Sequence, residues 1–123
     1  MATINVTAIK ASLKSAAGQY KSLYQASSNC ISATVNIRML TVDIITNSKI
    51  RLYVVPGSFS EGVTPPDDAF LIQPKDLILG PDGVTVGVFE DTAIVLNPQE
   101  QVIVYSDNGN VVSRIHGFNR TAV

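Results

Sequence analysis

Residues 101–118 read QVIVYSDNGNVVSRIHGF and give the clearest structural signal in the chain. Two runs rich in β-branched residues flank Asn108-Gly109, the pair that most readily adopts the two left-handed conformations of a type I′ turn. The pattern therefore predicts a β-hairpin that closes at Asn108-Gly109. Because successive side chains of a strand point to opposite faces, this turn would also decide which side chains share a face.

The predicted hairpin has two unequal faces. One is the better candidate for the core, because its only polar members are two serines: Val102, Val104, Ser106, Val111, Ser113 and Ile115. The other mixes large apolar side chains with Arg and His, and we predict that it is an interface with another subunit: Ile103, Tyr105, Val112, Arg114, His116 and Phe118. The alternative is that the N-terminal segment folds back and covers this second face within one chain.

The composition fits one domain with few charges. The chain has 123 residues, of which 46% are apolar and 15% are charged, whereas soluble domains average about 25% charged residues. The shortfall indicates that another molecule covers part of the surface. Cys30 is the one cysteine, so no disulfide framework can form. Residues 1–6 lack the features of a secretory signal and no apolar run could span a bilayer, so we expect a soluble protein.

The charges are unevenly spread along the sequence. Residues 1–60 carry six basic side chains against Asp43 alone, and residues 61–107 carry nine acidic side chains against Lys75 alone. One interpretation is that these segments interleave in the sheets and neutralise one another. The other is a molecule with basic and acidic ends that stacks on copies of itself.

The order of strand and turn signals predicts an all-β protein. Residues 1–29 are predicted to be an N-terminal arm or an edge segment, and residues 30–123 a β-sandwich domain. Residues 56–68 are rich in turn formers and form a long loop, of the kind that is often functional. Seven to nine short strands and no long helix predict an antiparallel β-sandwich or jelly roll.

Catalytic chemistry has little support in the sequence. His116 and Cys30 are the only histidine and cysteine, and we interpret them as an interface or packing residue and as a small buried apolar residue. The adjacent acids Asp67-Asp68 and Glu90-Asp91 fit turn chemistry better than a carboxylate pair or a calcium site, because neighbouring side chains of an extended chain point apart. We therefore predict no catalytic, metal or cofactor-binding residue and no enzyme.

From Thr34 onward, the chain contains a series of short strand and turn patterns in a definite order. They are RLYVVP at 51–56, TPPDD at 64–68, FLI at 70–72, Asp76, VLNP at 95–98, VIVYS at 102–106 and a last strand that ends at Gly117-Phe118. In these patterns the chain resembles small virion structural proteins of tailed bacteriophages. The N-terminal third does not share the resemblance in detail.

The resemblance implies a β-sandwich subunit present in many copies in a virion that assembles in the host cytoplasm. A head decoration or cement protein in a symmetric oligomer on the capsid is the main expectation, and a collar- or tail-associated protein is another. The expected partners are copies of the chain and other virion structural proteins, with no nucleic acid, membrane or cofactor. A carbohydrate- or receptor-binding sandwich is the alternative, although it would usually show exposed aromatic side chains.

Overall fold

Eight strands account for most of the chain in the computed structural model, which describes residues 4–83 and 87–122. A single 3₁₀ turn, Asp68–Phe70, is the helical element among these residues. The strands are β1 (Ile4–Lys14), β2 (Tyr20–Gln25), β3 (Cys30–Thr41), β4 (Ser48–Val55), β5 (Leu77–Leu79), β6 (Val88–Leu96), β7 (Gln101–Ser106) and β8 (Val111–Ala122).

The strands form two four-stranded antiparallel sheets. The first sheet has the order β1-β8-β3-β6 and the second has the order β2-β7-β4-β5. The first strand thus pairs with the last, the second with the seventh, the third with the sixth and the fourth with the fifth. This nested pairing in two facing sheets is a jelly roll. The predicted all-β antiparallel sandwich is therefore confirmed.

The core lies between the sheets and follows the period of two expected for half-buried strands. Along β3, the side chains at alternate positions from Ala33 to Thr41 are buried. Burying one aliphatic side chain of this kind contributes about 1.5–3 kcal/mol to folding. The largest fully buried core side chains are Val35, Ile37, Met39, Ile50, Leu52, Leu79, Leu96, Val102 and Ile115.

The N-terminal residues form an edge strand in each sheet. In the first sheet, β1 runs beside β8 from the pair Ile4 and Ala122 to the pair Lys14 and Val112. In the second sheet, β2 runs beside β7, and Tyr20 lies opposite Tyr105. Strands from both sides of residue 29 therefore share the same two sheets.

The predicted hairpin at Asn108-Gly109 is wrong. The strands β7 and β8 lie in different sheets and make no ladder with each other. Tyr105 is paired with Tyr20 and Arg51 in the second sheet, whereas β8 is paired with β1 and β3 in the first. Neither Asn108 nor Gly109 has the positive φ that a type I′ turn requires. Residues 107–110 are a connection that crosses from one sheet to the other.

The physical reason is that Asn108 makes hydrogen bonds to distant loops instead of closing a local turn. Its side-chain oxygen accepts from the hydroxyl of Ser48 (3.0 Å) and from the backbone N–H of Asn110 (2.9 Å). Its side-chain nitrogen donates to the carbonyl of Asn47 (3.0 Å), and its own carbonyl accepts from the hydroxyl of Ser15 (2.7 Å). These contacts join three interstrand connections at one end of the sandwich.

The assignment of the inward face is nevertheless confirmed. The residues predicted to face the core are all buried, although they approach one another from opposing sheets: Val102, Val104, Ser106, Val111, Ser113 and Ile115. Alternation along a strand decides which side chains point inward whether two strands lie side by side or face each other. The pattern therefore identified the face correctly and the pairing incorrectly.

We predict that Asn108→Ala lowers the free energy of unfolding by about 1–3 kcal/mol, because partners at Ser48, Asn47 and Asn110 lose their hydrogen bonds. Gly109→Ala is the matched control and should change it by less than about 0.5 kcal/mol. A Cβ atom at Gly109 would meet nothing closer than the carbonyl of Ser15 at 3.7 Å. Urea unfolding of both variants measures the difference. A larger loss of unfolding free energy for Gly109→Ala than for Asn108→Ala would contradict this description and support the type I′ turn.

Candidate interaction surface

The outer face of the first sheet carries a concentration of positive charge. Across β1 and β8, Lys10 lies opposite His116 and Ser12 lies opposite Arg114; across β8 and β3, Arg114 lies opposite Arg38. We call this surface the basic face and define it by its charged and titratable side chains, which alternate with buried core residues: Lys10, Lys14, Arg38, Glu90, Arg114, His116 and Arg120.

Glu90 is the acidic side chain among the described residues of the basic face. It lies 3.1 Å from the Nε of Arg38, and both side chains are about half exposed. Arg114 lies beside Arg38 in the neighbouring strand and makes no ion pair within residues 4–83 and 87–122. Like charges at adjacent strand positions repel each other. The face therefore keeps an unbalanced positive charge that a negatively charged partner would relieve.

Large apolar side chains continue this face toward the end of the sandwich where Ile4 pairs with Ala122. Phe118 is 61% exposed although it sits in a central strand, between Ala8 of β1 and Thr34 of β3. Ile4, Val6 and Val95 are exposed at the two edges of the same sheet. A row of exposed apolar residues beside a basic band is typical of a contact surface.

Shallow depressions mark the middle of the basic face. Three adjoining ones have volumes of about 250, 260 and 330 Å³, and His116 lines all of them. The His116 ring lies 3.3 Å from the side-chain nitrogen of Asn36. That geometry supplies neither the nucleophile nor the orienting carboxylate that histidine-based catalysis needs. The depressions are therefore shallow features of the basic face.

The predicted interface residues do not lie on one surface. Ile103 and Tyr105 belong to β7 of the second sheet, whereas Val112, Arg114, His116 and Phe118 belong to β8 of the first sheet. Ile103 is 0% exposed and packs with Tyr20, Tyr53 and Val55. The prediction that all six side chains project together is wrong, because it assumed a hairpin. The interface role of the β8 residues stays a prediction.

The outer face of the second sheet is covered by the chain itself. Residues 56–72 pass over it: Phe59 and Leu71 pack against the cluster around Ile103. Gly62 exchanges backbone hydrogen bonds with Tyr20 of β2, and Leu71 forms a bridge with Tyr53 of β4. This loop, together with Tyr20 of the N-terminal segment, buries the β7 half of the predicted interface within one chain.

Arg51 holds the covering loop to the second sheet. Its Nε and Nη2 donate to the carboxylate of Asp76 at 2.8 and 3.3 Å, and its Nη1 donates to the hydroxyl of Tyr20. The guanidinium group also lies 4.7 Å from the ring centre of Tyr105, which stacks on Tyr20 with ring centres 4.6 Å apart. Asp76 adopts a left-handed conformation, with φ of 61°, to reach this position.

The electrostatics of this cluster follow from the pairing. The hydrogen bond from Arg51 lowers the pKa of the Asp76 carboxyl below its ordinary value, and it raises the pKa of the Arg51 guanidinium. Burial raises the pKa of the neighbouring Tyr53 hydroxyl to about 12. All of these shifts keep each group in its normal charge state near neutral pH. The cluster is therefore a structural anchor rather than a proton-transfer site.

Three of the ten acidic residues, Glu61, Asp67 and Asp68, lie on a second exposed surface. Within the covering loop, residues 61–70 read EGVTPPDDAF, and we call this segment the acidic loop. Val63 is 70% exposed and Phe70 is also exposed, so apolar side chains stand among its carboxylates. The long loop was predicted from the sequence, but the exposure of these apolar residues was not. The signal available was that Val63 and Phe70 are apolar residues within a stretch of turn formers.

Another exposed apolar patch lies in the connection between β3 and β4. Ile45 is 82% exposed, and Val42 and Ile44 are exposed beside it. Asp43 holds this connection in a defined shape, because its carboxylate accepts from the backbone N–H groups of Ile45 (3.1 Å) and Thr46 (2.9 Å). This patch was not predicted from the sequence.

Both interpretations of the charge distribution describe part of the molecule. The ion pairs Arg38–Glu90 and Arg51–Asp76 each join a base of the first half to an acid of the second half within one chain. Four further exposed bases, Lys10, Lys14, Arg114 and Arg120, lie on the basic face, whereas Lys49 is exposed on the second sheet and Lys75 lies beside Asp68. Neutralisation is thus local and incomplete: the basic face is mainly positive, and the acidic loop carries only acidic charges.

The residues considered for chemistry have structural roles. Cys30 is buried, as predicted, and burial raises the pKa of its thiol. Asp67 caps the 3₁₀ turn, because its carboxylate accepts from the N–H of Ala69 at 2.8 Å. Within residues 4–83 and 87–122, no group of three His, Cys, Asp or Glu side chains is arranged to hold a metal ion. No helix in that part of the chain is long and apolar enough to cross a membrane.

Two solved structures resemble this chain along nearly its whole length. A chain from the structure of Desmodium yellow mottle tymovirus aligns with a TM-score of 0.62 at 9% identity, covering 99% of this chain and 88% of that one. A chain from the acidic stable capsid structure of Helicobacter pylori bacteriophage KHP30 aligns with a TM-score of 0.51 at 15% identity, covering 100% and 97%. No family model and no curated protein matches the sequence. What these chains share is the fold.

We predict that Asp76→Asn destabilises the protein at neutral pH and flattens its loss of stability in acid. A carboxyl whose folded pKa is lowered stabilises the fold above its unfolded pKa of about 4, and this contribution is lost as the pH falls through the folded pKa. Asparagine also tolerates the left-handed conformation, so the substitution removes the charge and one of the two acceptor oxygens without straining the backbone. Thermal unfolding between pH 7 and pH 2 measures the effect.

The control for this measurement is Asp68→Asn. The Asp68 carboxylate lies 3.3 Å from Lys75 at the surface, and an exposed pair of this kind contributes little to stability. Parallel curves of stability against pH for the wild type and Asp76→Asn would contradict the anchoring role of Asp76.

We predict losses of stability of very different size for two residues that the predicted hairpin put on one face. Ile103→Ala should cost about 2–5 kcal/mol, because it opens a cavity in a fully buried cluster. Phe118→Ala should cost less than about 1 kcal/mol, because its side chain is mostly in solvent. Denaturant titrations of the two variants make the comparison. Equal costs would mean that the two side chains share one environment.

Proposed function

We propose that this protein is a non-enzymatic structural subunit of a virus particle that packs with copies of itself in a symmetric oligomer. In the finer form of the proposal it is a head decoration or cement protein on the capsid of a bacteriophage. The observation that carries the proposal is an exposed sheet face, basic and partly apolar, on a jelly roll whose other broad face is covered by its own loop.

The fold supports the proposal without deciding it. Jelly rolls occur in viral capsid domains and also in lectins and cupins, so fold alone does not imply function. The two similar structures come from a tymovirus and from a bacteriophage capsid, and each aligns over almost all of this chain. The sequence resemblance to virion proteins of tailed bacteriophages points in the same direction.

The surface supplies the second argument. Phe118 projects from a central strand into solvent, and the aliphatic side chains of Ile4, Val6, Ile31 and Val95 are exposed on the same sheet. Leaving such groups in water costs about 25 cal/mol for each Å² of apolar surface, and association recovers part of this free energy. A subunit surrounded by copies and by other virion proteins covers these groups, which also explains the low content of charged residues.

The distribution of aromatic side chains disfavours a carbohydrate-binding module. Sugar rings usually stack on exposed aromatic residues, but Tyr20 and Tyr53 are buried and Tyr105 is stacked beneath Arg51. The basic face offers Phe118 as its exposed aromatic side chain, whereas platforms for single-stranded nucleic acid stack several bases. We therefore propose protein partners, namely further copies and other virion proteins, and a location in the virion after assembly in the host cytoplasm.

We expect the purified protein to form rings or lattice patches of a repeating unit when its concentration is raised at low salt. Attraction between exposed charges is screened beyond about 8–10 Å at physiological ionic strength, so added salt should dissolve part of the assembly. Sedimentation velocity and negative-stain electron microscopy measure the size and symmetry.

Antibody labelling separates this proposal from its alternatives. An antibody raised against the protein should decorate virus particles, on the head if the protein is a decoration subunit and on the collar or tail if it is not. A protein that stays monomeric at every concentration, labels no particle and binds one ligand on a glycan array would be a carbohydrate-binding module instead.

A further inference from the structure

We infer that the basic face of one copy binds the acidic loop of the next copy, in a head-to-tail contact. This inference rests on the proposed function, because it names the surfaces through which copies would pack. It depends on three properties of the two surfaces: their charges, their apolar residues and their positions on opposite sides of the sandwich.

The charges of the two surfaces are complementary. The basic face carries five Lys and Arg side chains, and Glu90 is partly neutralised by its pair with Arg38. The acidic loop carries Glu61, Asp67 and Asp68 and contains no basic residue. Lys75 lies 3.3 Å from Asp68, but both groups remain largely in solvent. Complementary patches of this kind set orientation and exclude contacts between like surfaces.

The apolar residues of the two surfaces also match. Val63 and Phe70 are exposed among the carboxylates of the acidic loop, and Phe118 and Val95 are exposed beside the basic band of the first sheet. Each surface therefore combines an apolar part with charges of one sign. Interfaces between proteins commonly have this composition, with apolar contacts inside and charges at the rim.

Both surfaces are ordered before they meet. Pro66 of the acidic loop is buried, which holds the loop against the sheet. The backbone of Gly62 makes hydrogen bonds of 2.7 and 3.2 Å with the backbone of Tyr20. The carboxylate of Glu61 accepts from the N–H of Ser22 at 3.1 Å, which fixes it toward one side of β2. The basic face lies on a sheet whose central strands are paired on both sides. Preordered surfaces lose little conformational entropy on association.

The positions of the surfaces dictate the kind of assembly. The basic face belongs to the first sheet, and the acidic loop covers the second sheet, so one chain cannot bring them together. A contact between two different surfaces is heterologous, and repeating it yields a closed ring or an open array. The inference therefore predicts many-copy assemblies rather than an isolated symmetric dimer.

Charge reversal on each surface tests the contact. Arg114→Glu on the basic face and Asp68→Lys on the acidic loop change exposed side chains, and Arg114 makes no ion pair within the described part of the chain. Each variant alone should weaken assembly at least tenfold in the concentration required. Lys49→Glu is the matched control for Arg114→Glu: it makes the same change of charge on the second sheet and should assemble like the wild type.

Mixing the two variants distinguishes this contact from others. Arg114→Glu and Asp68→Lys should each need at least tenfold more protein to assemble alone, whereas a 1:1 mixture should assemble within threefold of the wild type, because every head-to-tail contact of an alternating array joins opposite charges. The double variant Arg114→Glu with Asp68→Lys in one chain should be rescued for the same reason. Circular dichroism establishes that each variant is folded, and sedimentation velocity reads the assembly.

Other results would overturn the inference. If both single variants assemble like the wild type, copies meet through other surfaces, and the proposed structural role is untouched. If folded variants fail to assemble even when mixed, the two surfaces do not meet each other. If Arg114→Glu abolishes binding to a single-stranded oligonucleotide while assembly is unchanged, the basic face binds a polyanion. A wild type that never assembles and is absent from particles removes the proposed function itself.

Discussion

The pairing of β8 with strands from the beginning of the chain is the constraint on which the rest of the structure depends. β8 lies between β1 and β3, and its ladder with each partner runs along almost its whole length. Contacts between the first and last parts of a chain require closure of very long loops, so they form only when many pairs reward them together. Once β8 joins the first sheet, β7 must join the second, and the connection at Asn108 must cross between them.

This arrangement makes the two outer faces of the sandwich different. The long connection between β4 and β5 returns over the second sheet, where Arg51 and Asp76 hold it in place. The other interstrand connections are short, and none of those described passes over the first sheet, whose outer side remains open. A jelly roll with one covered and one exposed face has two different sides. The proposed head-to-tail packing would use this difference.

The same arrangement decides where the charged residues of the sequence lie on the molecule. Basic residues are concentrated in the first half, and most of the exposed ones lie on β1, β3 and β8 in the first sheet. The acidic residues Glu61, Asp67 and Asp68 lie in the loop that covers the second sheet. Pairing between adjacent strands neutralises some of them, as in Arg38 and Glu90. The remainder leaves the basic face on one side of the sandwich and the acidic loop on the other.

The sequence by itself determined the fold class, the long loop and the inward faces of β7 and β8. It did so because side-chain direction along a strand depends only on position, whichever strand lies alongside. It could not determine that Ile103 is buried beneath a loop while Phe118 is exposed, although both lay on the same predicted face. Local preference at Asn108-Gly109 favoured a hairpin. The side chain of Asn108 instead makes hydrogen bonds with Ser48 and Asn47, which lie 60 and 61 residues away in sequence. Which strands are neighbours, and hence which face is bare, was decided by the tertiary structure, because ladders between distant strands outweigh the preference of a two-residue turn.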